Sequence, residues 1–219
     1  MSIECESLAS SCDDAPNVER LHFGRLSASP SDVLVGTDQQ VFVPPRVGRR
    51  RLHHGQRDAP LPRLADQRGT LAWKCQGLRD EQLRVALPPT TMTLGGLLKH
   101  MACVEDGWFT EVAAEQPIPE PWASVDWDAD PDWEWRTAAG DSGDELRALW
   151  AERVERSRAV LTEQLRSGED KALSQTHPAW GGRDRVSLRW ILTHMIEEYA
   201  RHNGHADLIR ESLDGETGE

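Results

Sequence analysis

The chain has 219 residues, enough for one good-sized domain or a domain with a tail, and a formal net charge of −12 at pH 7. That charge argues against nucleic-acid binding and against adsorption to an anionic membrane. Cys5, Cys12, Cys75 and Cys103 show no C-x-x-C spacing, so neither a disulfide framework nor a zinc knuckle is indicated.

No apolar run approaches the ~20 residues of a membrane span, and the acidic N-terminus lacks the basic and apolar regions of a signal peptide. The default compartment is the cytoplasm. Apolar residues are 38% of the chain and mean hydropathy is −0.60, so a packed core has to be concentrated in part of it. Nine Trp stand against three Phe and one Tyr.

Residues 1–59 carry no sustained period and read as a disordered extension or a start assigned too far upstream, with an accessory binding arm as the alternative. Only SDVLVGTDQQVFVPP hints at extended structure, and the basic run around Arg49, Arg50, Arg51, His53 and His54 reads as solvated tail. A domain is expected over residues 60–215, with 216–219 as a tail.

From Leu61 a helical period appears. Leu64, Leu71, Ala72, Cys75 and Leu78 fall on one face of a first helix that ends near Gly77. Pro88-Pro89 breaks the chain, and Thr93 caps a second helix, TLGGLLKHMACVEDGWFTEVAA, with Leu94, Leu97, Leu98, Met101, Val104 and Trp108 apolar. His100 sits among them. By itself such a residue is more often a hydrogen-bonded core histidine than a ligand.

The stretch QPIPEPWASVDWDADPDWEWRTAAG, residues 116–140, is a long loop between the second and third helices. Its Trp122, Trp127, Trp133 and Trp135 argue against disorder. They either cover a site or pin the loop against the outside of the helices.

A third helix opens at Asp141 to Glu145, with acids in its first turn. Its stripe includes Leu146, Leu149, Trp150, Val154, Ser157, Leu161 and Leu165. The polar link that follows has room for a short extended piece and contains His177, read as a loop residue. Four amphipathic segments with short and long links predict an all-α four-helix bundle.

The fourth helix, SLRWILTHMIEEYARHNGHADLIRESLDG, is capped by Ser187 and stopped by Gly215. Residues four apart stand above one another, so His194, Glu198 and His202 form one stripe with His205 one turn further. Glu198 and His202 make an E-x-x-x-H pair able to hold one metal ion from a single helix face. His100 is the natural third donor, because a site inside a bundle draws on facing helices. The competing readings are a merely solvated face and a metal-free buried hydrogen-bond network.

TLGGLLKHMACVEDGWF, the Trp-rich acidic loop and SLRWILTHMIEEYARHNGHADLIRESLDG together resemble the DinB-like superfamily, which includes mycothiol-dependent maleylpyruvate isomerases and bacillithiol transferases, and most closely a branch of unknown function. The resemblance covers about Pro60 to Gly215 and implies a DinB-like four-helix fold. It places the three metal ligands on His100, Glu198 and His202, with Glu at the middle position as in the isomerase-like members.

By the same resemblance His194 matches a recurrent histidine one turn before the ligand pair, with a role in supporting the ligands or lining the pocket rather than in coordination, and His194 and His205 are the candidate catalytic residues. His205 stands where relatives often have Gln, leaving open a fourth ligand or an altered pocket. Arg189 and Arg201 are candidates to receive a substrate carboxylate.

Two imidazoles and a carboxylate leave coordination positions open, as in catalytic zinc sites. Zinc is preferred, although nickel, iron and manganese suit the same donors. The expected activity is transfer or isomerisation using a small-molecule thiol such as mycothiol and an electrophile. The alternative is a metal-binding bundle without turnover, in which the ion supports folding or a stress response. A homodimer is compatible with this fold, and nothing in the sequence selects its face.

Overall fold

The computed structural model describes residues 59–218, so the readings made for the preceding segment lie outside the described residues. The described chain is mostly helical. Helix α1 spans Pro60–Cys75, a short α2 spans Asp80–Leu83, and α3 spans Leu94–Glu105 before widening into a π-helical stretch, Asp106–Ala113. Helix α4 is Trp133–Thr137, α5 is Gly143–Leu165, α6 is Glu169–Ser174 and α7 is Leu188–Asp214. No helix among the described residues is long and apolar enough to cross a membrane.

Local signals set the ends of the long helices. The Thr93 hydroxyl accepts from the Gly96 amide at 2.9 Å, and the Ser187 hydroxyl accepts from the Trp190 amide at 3.1 Å, each satisfying a donor the helix start would leave orphaned. Gly215 ends α7 at φ 77°, the left-handed region where a Cβ is penalised. At α5, Ser142 and Glu145 form a reciprocal capping box. Ser142→Ala is expected to cost about 1 kcal/mol in chemical denaturation, the ordinary worth of such a cap. An unchanged midpoint would show that the box contributes nothing.

Helix α1 packs along α7, α3 along α5, and α3 also meets α1 and α7. Every residue of α3 from Leu94 to Glu105 is buried. A helix covered on all sides needs close approach, and Gly95 and Gly96 supply it. A Cβ on Gly95 would lie 3.1 Å from Leu146 Cδ1, and one on Gly96 would lie 2.8 Å from the Trp135 ring. The apolar faces of α3 and α7 meet in the core, where Leu97, Leu98, Met101, Leu188, Ile191, Leu192, Met195 and Tyr199 are all buried.

A polar tie runs through this core and engages all four long helices. Arg68 of α1 donates twice to the Glu105 carboxylate of α3, at 2.8 and 2.6 Å. Tyr199 of α7 donates to Glu105 Oε1 at 2.6 Å, and Trp150 of α5 donates to the Tyr199 oxygen at 2.9 Å. One residue on, buried Asp106 takes a 2.8 Å hydrogen bond from Trp122 and faces Arg153 at 2.7 Å and Arg156 at 3.2 Å.

Three regions differ from the sequence reading. The stretch expected as a loop holds two short turns, Trp122–Ser124 and Ala138–Gly140, with α4 between them. The link before α7 contains α6 and an antiparallel hairpin of β1, Thr176–Ala179, and β2, Asp184–Ser187. His177 is therefore no loop residue. It pairs with Val186, is 1% exposed, and lies 3.4 Å from Glu115 Oε1. Thirdly, the end of α3 is π-helical over Asp106–Ala113, which apolar periodicity does not signal.

Candidate metal centre

His100 in the middle of α3 and Glu198 and His202 in the middle of α7 converge between the two helices. One ligand atom from each lies within 4.8 Å of the others, and all three side chains are buried. Helix α7 supplies its pair by the i, i+4 stacking of side chains. Helix α3 supplies the third donor because its all-round burial leaves His100 no route to solvent.

Glu198 lies between two imidazoles, with Oε2 3.5 Å from His202 Nε2 and Oε1 3.8 Å from His194 Nε2. Burial by itself raises its pKa, yet the His202 hydrogen bond, the Arg201 guanidinium and the two imidazoles together hold the carboxyl below its usual range. Burial pushes the His100 and His194 pKa values down, favouring neutral imidazoles with free lone pairs.

His100 Nε2 and His202 Nδ1 are buried without a hydrogen bond among the described residues. Unpaired ring nitrogens beside a carboxylate fit a cation, since each lone pair gains a partner and the burial cost is offset.

The Trp-rich segment reaches this cluster. Glu134 of α4, 4% exposed, places Oε1 3.1 Å from His100 Nδ1. Trp135 stacks on the His100 ring with centroids 4.5 Å apart. Of the other three tryptophans in the segment, Trp122 and Trp127 each pack edge-on against Trp133. A second aromatic group flanks His194, which stacks on Trp190 at 4.9 Å and meets Trp108 edge-on at 4.9 Å. Trp180 joins them at 6.2 Å from Trp108.

The remaining candidates are distributed unevenly. Arg201 is 58% exposed and brings Nη1 to 3.4 Å from Glu198 Oε1. His205 is half-buried, its ring 5.7 Å from that of His202, and it stands outside the three-donor group. Arg189 is exposed. It lies nine residues before Glu198, on the opposite side of α7 and ~14 Å away along the axis, so the structure does not bring it to the cluster.

Glu134 and the Trp108, Trp180 and Trp190 group were not singled out with these roles by sequence reasoning, whereas Trp135 was among the tryptophans read as either covering a site or pinning the loop. The one available signal was a Glu between two Trp in an otherwise aspartate-rich stretch.

Cys75 takes no part. It is fully buried in the core, and desolvation pushes its thiol up to about 12, far from nucleophilic use at neutral pH. No curated protein matches the chain. Residues 60–215, however, match the family described as mycothiol-S-transferase. The chain belongs to this DinB-like, mycothiol-related family.

Proposed function

We propose that this protein is a DinB-like four-helix bundle enzyme of the cytoplasm. In this reading it transfers the sulfur of mycothiol, or of a similar low-molecular-weight thiol, to an electrophile, with a divalent metal ion held by His100, Glu198 and His202. The observation that carries the reading is the convergence of those three buried donors in a chain of the mycothiol-S-transferase family.

Two imidazoles and one carboxylate leave positions open for substrate, which favours zinc, and the same donors suit nickel, iron and manganese. When bound, such an ion lowers the pKa of a thiol, so that the sulfur is present as thiolate at neutral pH.

The chain's own residues do the rest. His194, favoured as neutral imidazole by burial and with no hydrogen bond at Nε2, is placed to take up the thiol proton at that atom. Trp135 packs on the His100 and His202 rings, and Trp108 and Trp190 pack on His194, so these indoles line the apolar side of the cluster. Arg201, mostly exposed beside Glu198, can meet a carboxylate on an incoming substrate. His205 borders the cluster and shapes its rim. The sulfur then forms a bond to an electrophilic carbon, displacing a leaving group or adding to an activated double bond.

The test is turnover of mycothiol with a panel of electrophiles, following loss of free thiol and appearance of thioether by mass spectrometry. Metal-stripped protein should be inactive and regain activity on addition of zinc. A metal-loaded protein that consumes no thiol with any electrophile would sink the enzyme reading and favour a metal-binding bundle without turnover.

A further inference from the structure

We propose that Glu134 is a positioning residue for the metal centre: its carboxylate holds the His100 imidazole in the tautomer and plane that present Nε2 to Glu198 and His202. This rests on the reading of those three side chains as ligands.

Three observations carry it. The first is burial. Asp126, Asp128 and Asp132 of the same segment are exposed, whereas Glu134 is buried, and sequestering a carboxylate from water is costly unless it is hydrogen-bonded. Its partner is His100 Nδ1, at 3.1 Å.

The second concerns the ring's two nitrogens. A neutral imidazole has one N–H and one lone pair. Donation from Nδ1 to Glu134 therefore leaves the lone pair on Nε2, the buried nitrogen with no hydrogen bond. Outer carboxylates orient metal-binding histidines in this way and raise their basicity.

The third is the clamp next to it. Trp135, the following residue, lies against the His100 ring with an interplanar angle of 24°, so one short helix fixes both the ring plane and its hydrogen bond. Gly96, one turn before His100, leaves room for that indole, since a Cβ there would sit 2.8 Å from it.

The experiment is competitive titration of Zn2+ against a chromophoric chelator in metal-stripped wild type, Glu134→Ala and Glu134→Gln, with the visible spectrum of Co2+-loaded protein alongside. Glu134→Ala should bind Zn2+ about 10 to 100 times more weakly and alter the Co2+ bands. Glu134→Gln, whose amide oxygen still accepts from Nδ1 but carries no charge, should fall between it and wild type. Ser142→Ala, which weakens a remote cap, serves as a control for general destabilisation and should keep wild-type affinity.

If wild type binds Zn2+ and both Glu134 variants bind it equally well, the positioning role is overturned while the ligand set stands. If wild type binds none, the ligand set itself fails. Should Glu134→Ala not fold, the comparison of Glu134→Gln with wild type decides the matter alone.

Discussion

Wild-type protein is expected to purify with about one equivalent of divalent metal, and His100→Ala and His202→Ala are each expected to lose it. Each substitution removes one of three donors from a group whose ligand atoms lie within 4.8 Å, so the fall in affinity should exceed the ~10 to 100-fold that follows loss of an outer-shell partner. Both substitutions also empty a buried position, and each has to be shown folded by circular dichroism.

A second readout is independent of activity. An ion that binds only the folded state stabilises it by about 2.7 kcal/mol at a hundred times its Kd. Wild type should therefore melt several degrees lower when chelated, while the two variants should be indifferent to chelator. Elemental analysis showing the same metal content in all three proteins would dismantle the site.

The other large effect concerns the core. Glu105→Ala should destabilise the fold by about 3–5 kcal/mol, because it leaves the Arg68 guanidinium buried with its charge unpaired. Tyr199 would at the same time lose the acceptor of its 2.6 Å hydrogen bond. Tyr199→Phe, which removes a hydroxyl and leaves the ion pair intact, should cost only about 1–3 kcal/mol.

The tie joins residues 37 and 94 apart in sequence, and it engages α1, α3, α5 and α7 at one level. Its loss is therefore felt by every long helix at once. A Glu105→Ala protein with an unfolding free energy within about 1 kcal/mol of wild type would show that Arg68 escapes to water and that the network does not fix the helix register.

Helix starts and stops were legible from the chain alone because capping is local. Thr93, Ser142, Ser187 and Gly215 act on amides and carbonyls within a few residues of themselves. The vertical pair of Glu198 and His202 was equally legible, since i, i+4 stacking follows from helix geometry. His100 was legible only by analogy, with a bundle in which a donor buried on one helix has to meet donors on another and with the DinB-like superfamily that the chain resembles.

Three features were not legible. The burial of Glu134 could not be told from that of the aspartates around it, because which acid of a polar stretch turns inward depends on what lies across from it. His177 was misread for the same reason: a histidine before a proline looks like a turn until its strand is paired with Val186. The π-helical end of α3 was also hidden, since its apolar residues continue the α-helical period.

The sequence by itself thus determined where the long helices begin and end, which face of each is apolar, and that α7 carries a carboxylate and an imidazole on one stripe. Those properties depend on neighbours within a turn or two. Only the tertiary structure decided that His100 faces that pair, that Glu134 and Trp135 close on His100, and that Glu105 meets Arg68 and Tyr199. Each of those contacts joins residues at least 34 apart in sequence, so the packing of one helix on another, and not any local propensity, selects the partner.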